Sequence, residues 1–372
     1  MKLQVHREST LASFSLAAMV APSRSPKEIL QYVKIEVRNG AAVIMATDLE
    51  VGIRVAMTGV ETDQDFLDLV LPVDRFSLIL RESKDETLSI TVNENLVTIK
   101  GKHSKFQLPS PNPEDYPSIM EFAESDFIDI PRRLFHEMIR RTVFATDTDS
   151  TRYALGGVLL ENDGDNLLTV ATDGRRLAKM EGTAKVVGAP SSGGAMTIIP
   201  TRAMQLLERA LGDADGNVQI APRSNDVLIR ADNFVFYSRL VEGRFPKWQD
   251  VLPSSRDAQN VDVTIGPLYS ALRQASIVAS QESRGIDLTF AEGTLILSAS
   301  TAEKGESRVE VPISYSGPET SVTLDHRYLS DFLRVLNLEQ VVHAQFRSAE
   351  DPVLFNTDDD YAYVIMPLSP DR

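Results

Sequence analysis

The sequence contains no cysteine, and this absence removes several classes of chemistry. A chain without thiols has no disulfide, no thiolate nucleophile and no cysteine-ligated zinc site. No apolar run approaches the roughly 20 residues that a membrane-spanning helix needs. Residues 1–8 are charged and lack the apolar core of a signal peptide. We therefore expect a cytoplasmic protein.

Histidine is also scarce, and the five histidines show no catalytic spacing. His136 and Glu137 begin like a zinc-protease helix, but Arg140 stands where the second histidine is needed. The aspartate run at residues 358–360 offers carboxylates for a metal. Without ligand partners at a fixed spacing, however, the run is typical of a polar turn between strands. We expect no catalytic residue, no metal and no cofactor.

Basic residues are outnumbered, 38 to 53, which gives a net charge of −15 at pH 7. An evenly spread charge of this sign would repel nucleic acid. Six apolar-periodic segments, however, together carry 15 Lys or Arg and 9 Asp or Glu, a net charge of +6, so the rest of the chain carries −21. If these segments form helices on one surface, that surface attracts a polyanion and the remainder repels it. The six segments are residues 5–24, 71–85, 131–141, 200–211, 267–284 and 325–336.

One pattern recurs three times along the chain at long, similar intervals. Each copy starts with a strand-like segment that leads into an apolar-periodic helix. A hairpin with a glycine turn follows, and after it come a Thr-Asp or Ser-Thr segment, a second helix and alternating strands. The first helical segments are residues 5–21, 130–145 and 263–279, the turn glycines are Gly40, Gly164 and Gly293, and the last strands are 88–100, 218–231 and 341–346.

This matched order predicts an α+β protein of three similar domains, each with two helices packed on antiparallel sheets. Short polar linkers near residues 124–126 and 254–260 place the domains at 1–125, 126–256 and 257–372. The alternative is a chain of three unrelated α+β domains.

Four motifs carry a resemblance to a known family. They are TRYAL at residues 151–155, TDGRRLA at 172–178, GRFP at 243–246 with VLP at 251–253, and YVIMPL at 363–368. In this order and spacing they resemble the bacterial DNA polymerase III beta subunit family, the sliding clamps. The resemblance runs from residue 1 to residue 368.

The resemblance implies the DNA clamp fold and a head-to-tail homodimer that closes into a six-domain ring around double-stranded DNA, without sequence specificity. The implied function is that of a non-catalytic processivity factor in DNA replication. Such a ring tethers the DNA polymerase III alpha subunit, and it also binds the clamp loader and other proteins with a clamp-binding motif. Topology rather than affinity retains a ring on DNA, so weak phosphate contacts suffice.

The resemblance also implies a pocket that binds short peptides of the Gln-Leu-x-Leu-Phe type. Flexible and branched apolar side chains suit the anchoring of apolar peptide residues, and two arginines could bracket a polar or acidic peptide group. Carried over residue by residue, the peptide-binding pocket comprises Leu155, Thr172, Gly174, Arg175, Arg176, Leu177, Pro246, Val251, Val364, Ile365, Met366, Pro367 and Leu368.

The sequence departs from the family pattern around this pocket. Arg175 stands where many members have histidine, and Asp250 stands where an arginine is familiar. The tail, residues 369–372, extends past the usual end of the motif. We therefore expect acidic peptides to bind less well here than to a clamp with arginine at the Asp250 position.

Two further sets of residues follow from the resemblance. Those at or beside positions that face DNA are Arg24, Arg75, Arg81, Tyr153 and Arg202. Those at the ring interface are Phe106 and Leu108 in the first domain and Ile277 and Val278 in the third.

Two other functions compete with the clamp. One is an acidic scaffold that binds peptides without encircling DNA, which would have no need of arginines at repeated helix positions. The other is a metal-dependent enzyme that acts on nucleotides through the aspartate run at residues 358–360.

Overall fold

A computed structural model describes residues 2–93, 95–148, 154–190, 196–253, 258–280, 282 and 284–368. These residues form six α-helices: α1 (Arg7–Ala18), α2 (Val73–Glu82), α3 (Arg132–Thr142), α4 (Thr201–Leu211), α5 (Ile265–Ala275) and α6 (His326–Arg334). Each helix overlaps one of the six segments where the apolar periodicity predicted it, and α5 begins two residues before its segment. The first helix of each copy follows directly on a strand, as the sequence indicated.

The strands also follow the predicted order, and each glycine-containing hairpin turn joins two of them. The strands are β1 (Lys2–His6), β2 (Tyr32–Arg38), β3 (Ala41–Thr47), β4 (Val51–Met57), β5 (Val60–Thr62), β6 (Phe66–Pro72), β7 (Thr87–Asn93), β8 (Leu96–Lys100), β9 (Lys105–Pro109), β10 (Phe127–Pro131), β11 (Gly157–Asp163), β12 (Asn166–Thr172), β13 (Arg176–Thr183), β14 (Lys185–Val187), β15 (Thr197–Pro200), β16 (Asn217–Pro222), β17 (Asp226–Ala231), β18 (Phe234–Arg239), β19 (Gln259–Thr264), β20 (Gly285–Ala291), β21 (Thr294–Thr301), β22 (Gly305–Pro312), β23 (Thr320–Asp325), β24 (Val341–Phe346), β25 (Val353–Asn356) and β26 (Tyr361–Ile365).

The chain divides into two compact units. Unit 1 comprises residues 1–133 and 185–240, and unit 2 comprises residues 134–184 and 241–372. The units cut across the predicted domains because strands of neighbouring domains share sheets. In unit 1, β4 pairs with β18, and in unit 2, β13 pairs with β26.

Unit 1 contains a five-stranded sheet in the order β5-β1-β7-β8-β9 and a nine-stranded sheet in the order β14-β10-β16-β17-β18-β4-β3-β2-β6. Helices α1 and α2 pack together, with the rings of Phe14 and Phe76 edge to face at 5.2 Å between centroids. Both side chains are fully buried, and each contributes about 1.5–3 kcal/mol to folding through the apolar area it removes from water.

Unit 2 contains the sheet order β22-β21-β20-β23, and in its other sheet β11, β12, β13, β26, β25, β24 and β19 lie side by side. Helix α6 packs against β26, where the rings of Phe332 and Tyr363 stack at 4.8 Å. The buried phenols are satisfied, since Tyr361 donates to the Arg141 carbonyl at 2.7 Å and Tyr363 to the Tyr328 carbonyl at 3.0 Å. A buried hydroxyl without such a partner would cost stability.

Two copies of the repeat use an arginine at the first helical position in the same way. The Arg7 guanidinium donates to the Leu80 carbonyl at the end of α2 at 3.2 Å. The Arg132 guanidinium donates to the Leu211 and Ala210 carbonyls at the end of α4, at 2.8 and 3.1 Å. Each arginine thereby satisfies carbonyls that a helix end leaves without a partner.

Arginines that serve the interior in this way reduce the positive charge that the helical segments expose. Arg132 is buried and the Arg7 side chain is only 18% exposed. Arg141 is also buried, where it pairs with Glu137 and Asp359. Three of the 15 cations counted on helical segments therefore serve the interior, and the exposed positive charge of those segments is smaller than the count suggested.

Candidate functional site

Unit 2 contains a cavity of about 830 Å³. Ten of the thirteen residues predicted for the peptide pocket line this cavity. These ten are Leu155, Thr172, Gly174, Arg175, Arg176, Leu177, Pro246, Val251, Val364 and Met366. The remaining lining residues are Ala154, Gly243, Arg244, Trp248, Asp250 and Pro352.

One wall of the cavity is the tight turn at residues 172–176, between β12 and β13. The Thr172 hydroxyl donates to the Arg176 carbonyl at 2.6 Å and accepts from the Gly174 amide at 3.0 Å. The Asp173 carboxylate accepts from the amides of Arg175 and Arg176 at 2.9 and 3.0 Å. Gly174 has a φ of 84°, a conformation that glycine adopts without steric cost.

The C-terminal strand forms the adjoining wall. In the pairing of β13 with β26, Leu177 lies opposite Val364 and Arg176 opposite Ile365. Side chains alternate along a strand, so Val364 lines the cavity while its neighbour Ile365 is buried away from it. The Met366 amide then donates to the Arg175 carbonyl at 2.9 Å, and its side chain lines the cavity with 39% of its surface exposed.

Arg176 is held firmly from several sides. Its guanidinium donates to the carboxylates of Asp173 and Asp331 at 3.0 and 2.8 Å and to the Phe144 carbonyl at 2.7 Å. It also lies over the Tyr328 ring, 4.5 Å from the centroid, and its side chain is 9% exposed. Three of its five N–H donors thus already have partners within the fold, so less of Arg176 is available to a ligand, and the bracketing of a peptide group by both arginines stays a prediction.

Arg176 and the two tyrosines beside it, Tyr328 and Tyr363, have shifted pKa values. Burial by itself lowers the pKa of Arg176, but Tyr363 and Asp331 outweigh burial and hold that pKa above its usual range. Burial raises the pKa of the Tyr363 hydroxyl and of the Tyr328 hydroxyl. At neutral pH the guanidinium is therefore charged and both phenols are neutral.

Three other charged side chains line the cavity and are exposed: Arg175, Arg244 and Asp250. No side-chain ion pair or hydrogen bond holds any of the three within the described part of the chain. These charges are available to a ligand, and they differ in sign from one part of the cavity to another.

Trp248 lines the cavity, although it was not among the predicted pocket residues. Its indole N–H donates to the Glu161 carboxylate at 3.1 Å, and the side chain is 7% exposed. A buried indole needs such a partner for its N–H, so Glu161 fixes the orientation of this wall. Tryptophan next to GRFP was the sequence signal for this residue, whereas nothing local pointed to Pro352.

Three predicted pocket residues lie outside the lining. Ile365 is fully buried in the sheet, and Pro367 and Leu368 follow the strand and are partly exposed. The Leu368 amide donates to the Thr323 carbonyl at 2.8 Å, so this end of the chain is fastened to β23. The residues 369–372, to which the sequence assigned an altered tail, lie outside the described residues.

The residues predicted to face DNA lie in unit 1, apart from Tyr153, which is outside the described residues. Arg24, Arg75, Arg81 and Arg202 are all exposed. Arg75 pairs with Asp74 at 3.3 Å, and Arg202 pairs with the nearly buried carboxylate of Asp48. The Arg202 side chain is still 57% exposed and can reach a further anion.

The residues predicted for the ring interface lie on edges and surfaces. Phe106 and Leu108 belong to β9, an edge strand of the five-stranded sheet in unit 1, where Phe106 is 38% exposed. In unit 2, Ile277 is 74% exposed and Val278 is half-buried. An exposed branched side chain of this kind, like a strand edge, is a common place for association between chains.

The aspartate run at residues 358–360 serves the fold. Asp358 is hydrogen-bonded to His343 at 3.0 Å, and Asp359 pairs with Arg141 at 2.8 Å. Over the residues that the structure describes, no group of three or more His, Asp or Glu side chains could hold a metal ion. In the same residues no helix is long and apolar enough to cross a membrane.

Comparison with known proteins places the whole chain in one family. Residues 1–120, 129–247 and 249–369 match the N-terminal, central and C-terminal domains of the DNA polymerase III beta subunit. The beta sliding clamp of Pseudomonas aeruginosa is 30% identical over 373 residues, covering 99% of this chain and 100% of the relative. That of Escherichia coli K12 is 26% identical over 370 residues, with the same coverage.

Solved structures agree with this match. The Pseudomonas aeruginosa DNA polymerase III subunit beta bound to griselimycin is 29% identical, with a TM-score of 0.92 and 99% of each chain covered. The DNA polymerase sliding clamp of Bacillus subtilis is 25% identical, with a TM-score of 0.91 and 99% of each chain covered. The predicted fold of three repeated clamp domains is thus confirmed, and the chain belongs to the DNA polymerase III beta subunit family, the beta sliding clamps.

Proposed function

We propose that this protein is a sliding clamp for DNA replication, in which two copies close head to tail around duplex DNA and hold the replicative polymerase through the cavity of unit 2. The observation that carries the proposal is this cavity, which gathers residues 155, 172, 174–177, 246, 251, 364 and 366 around one apolar space. It is large enough for several side chains of a peptide, since ligand pockets generally measure about 300–1,000 Å³.

The cavity suits a short peptide with apolar anchors. Leu155, Leu177, Val251, Val364 and Met366 supply apolar walls. Val251 and Met366 are each 39% exposed, so covering them with a ligand removes further apolar area from water. We assign the DNA polymerase III alpha subunit, the clamp loader and other proteins with a clamp-binding motif to this one site.

The exposed arginines of unit 1 supply the proposed contacts with DNA. Arg24, Arg75, Arg81 and Arg202 can each approach a phosphate, and none needs to read a base. Such contacts weaken with salt, whereas a closed ring stays on a closed circle of DNA at any salt concentration that leaves the ring intact. An acidic scaffold that does not encircle DNA would need neither these arginines nor a ring interface.

For the ring itself we propose that Phe106 and Leu108 of one copy pack against Ile277 and Val278 of the next. A head-to-tail contact of this kind closes a ring when its rotation permits. Replacing both Ile277 and Val278 by alanine should lower the solution mass measured by light scattering from a dimer to a monomer. The same variant should leave circular duplex DNA during gel filtration, where the wild type is retained until the circle is cut.

In this role the protein raises the local concentration of polymerase at the primer end and needs no chemistry of its own. We place its three domains at residues 1–125, 126–256 and 257–372. We infer a cytoplasmic location from the proposed work on the replicating chromosome.

The cavity is tested by fluorescence polarisation with a labelled Gln-Leu-Ser-Leu-Phe peptide. The double variant Leu155→Ala/Met366→Ala should bind at least about tenfold more weakly, because truncating anchoring contacts generally costs more than about 1 kcal/mol each. The matched control, Met196→Ala/Leu338→Ala, truncates exposed side chains outside the cavity and should bind like the wild type.

Griselimycin offers a second probe, because a Pseudomonas aeruginosa relative has been solved with it. We expect it to displace the labelled peptide from the wild type. Equal peptide affinity for the wild type and the Leu155→Ala/Met366→Ala variant would remove the cavity from the proposed function.

A further inference from the structure

A second, smaller cavity of about 270 Å³ adjoins the first in unit 2. The two cavities share three lining residues, Asp250, Val251 and Pro352, so these form a divide between them. A peptide that leaves the first cavity across this divide enters the second. The other residues lining the second cavity are Leu252, Pro253, Ala258, Gln345, Phe346, Arg347 and Asp351.

The charged groups around the second cavity do not balance. The negative charge of Asp351 is compensated, because its carboxylate accepts hydrogen bonds from Arg347 at 2.6 and 3.0 Å and from Ser348 at 2.6 Å. The Arg347 and Ser348 hydrogen bonds lower the pKa of Asp351 to about 2. Asp250 is exposed, and in the described part of the chain no side chain pairs with it. The divide therefore carries one uncompensated negative charge.

The first cavity has the opposite polarity. Arg175 and Arg244 line it and are exposed, while the charge of Arg176 is compensated by Asp173 and Asp331. A ligand lying across both cavities thus meets two cations in the first and an anion at the divide. A uniformly acidic or uniformly basic peptide therefore complements only some of these three charges.

The second cavity is shaped for a long side chain with a charged end. Val251, Leu252, Pro253, Phe346 and Pro352 supply the apolar part of its lining, Gln345, Arg347 and Asp351 supply polar groups, and Asp250 lies on the divide shared with the first cavity. Lysine and arginine bury their aliphatic stems against such walls and keep the charged head in a polar setting. A glutamate in the same place would be repelled by the Asp250 carboxylate, and its binding would be weakened by about as much as the lysine is favoured.

We propose that partner peptides of this clamp extend past the first cavity and place a lysine or arginine beside Asp250, with its stem in the second cavity. This inference rests on the proposed function and specifies the class of peptide that the site prefers. Asp250 is then the residue that determines specificity, and peptides that end at the apolar anchors lack this contact.

The expected size of the effect is modest. Exposed ion pairs contribute about 0.2–1 kcal/mol, which corresponds to about a 1.4- to fivefold change in affinity. The preference should fade at high salt, because the screening length falls to about 3 Å at 1 M salt. Burial of the lysine stem should persist under those conditions.

The test uses the Gln-Leu-Ser-Leu-Phe peptide extended by two residues at either end, with Lys, Gln or Glu in the added positions. For one of the two ends, fluorescence polarisation should give an affinity order of Lys, then Gln, then Glu, with about 1.4- to fivefold between neighbours. Asp250→Asn should abolish this order, and Asp250→Lys should reverse it.

Two further variants serve as controls. Glu350→Gln removes an exposed carboxylate that is next to Asp351 in the chain and lines neither cavity. This variant should leave the affinity order of the Lys, Gln and Glu peptides unchanged. Ala258→Leu fills part of the second cavity, so it should weaken binding of the extended lysine peptide to that of the core peptide. Binding of the core peptide itself should not change.

The outcomes separate the two proposals. If no peptide binds the wild type, the proposed function fails at this cavity. If the core peptide binds but Lys, Gln and Glu extensions bind equally at both ends, the inference about Asp250 is overturned while the proposed function stands. An order that Glu350→Gln alters as much as Asp250→Asn would also overturn it, since the effect would then come from general surface charge.

Discussion

Two turns of the chain, residues 47–51 in unit 1 and 172–176 in unit 2, share one hydrogen-bond pattern and differ in their side chains. In the first turn the Thr47 hydroxyl donates to the Val51 carbonyl at 2.7 Å and accepts from the Leu49 amide at 2.9 Å. The Asp48 carboxylate accepts from the amides of Glu50 and Val51 at 3.0 and 2.7 Å. The second turn has the same four bonds at equivalent positions.

The two turns differ in the residue at their third position. Leu49 has a φ of 80° and Gly174 a φ of 84°, so a leucine adopts in one turn the conformation that glycine adopts in the other. An L-residue generally loses about 1–2 kcal/mol there. The four shared bonds hold the backbone in this shape even when the residue opposes it.

The two turns also differ in the residues that surround them. In the first turn the fifth residue, Val51, is buried, and Asp48 pairs with Arg202 from α4. In the second turn the fifth residue is Arg176, which pairs with Asp173 and lines the cavity. The same local structure thus supports a closed contact in one place and one wall of a ligand site in the other.

Arg176→Ala should sharpen this difference most. It leaves the Asp173 carboxylate without its cation and the Asp331 carboxylate with Arg334 alone, and breaking a buried ion pair on one side costs about 3 kcal/mol or more. Thermal unfolding followed by circular dichroism should show a clearly lower midpoint. Arg175→Ala, which removes an exposed arginine from the same turn, is the control and should unfold like the wild type. Similar midpoints for the two variants would mean that Arg176 does not hold the fold together here.

Gly174→Leu makes the second turn resemble the first and should cost up to about 1.5 kcal/mol of stability. The strain of about 1–2 kcal/mol is partly offset by about 0.5–1 kcal/mol, because leucine has less freedom than glycine in the unfolded chain. The cause is the backbone alone, because no atom lies within 4 Å of the position that a Cβ would take. Gly174→Asn is the matched variant and should cost less, since asparagine tolerates this conformation. Unfolding midpoints in urea that are equal for glycine and leucine at this position would contradict the argument.

Leu49→Gly makes the reverse change and should have the smallest effect, a gain of at most about 1.5 kcal/mol before the loss of side-chain packing is subtracted. It relieves the strain of about 1–2 kcal/mol, but glycine also gains freedom in the unfolded chain, which returns about 0.5–1 kcal/mol of that stability. Leu49 is 41% exposed, so little packing is lost. A urea midpoint well below that of the wild type would show that the Leu49 side chain contributes more than its exposure suggests.

The sequence was most informative where structure depends on neighbouring residues. The glycine turns at Gly40, Gly164 and Gly293 and the six helices follow from local periodicity and turn chemistry, and all are present in the structure.

What the sequence did not give depends on residues far apart in the chain. From the sequence alone Arg176 is expected to be an available cation, because its partner Asp331 is 155 residues away in the chain. Arg132 reads as a helix-surface charge, but it caps the end of α4. Pro352 lines both cavities without any local signal. Periodicity assigns a residue to an element, and only the packing of elements decides whether its charge is exposed.

Trp248 gives the cavity a built-in optical reporter. It is the single tryptophan of the chain, and its indole forms part of the cavity wall with its N–H bonded to Glu161. Excitation selective for tryptophan therefore reports on this one place in the molecule. A peptide that enters the cavity should change the emission intensity or wavelength, so unlabelled ligands can be titrated directly against the unmodified protein.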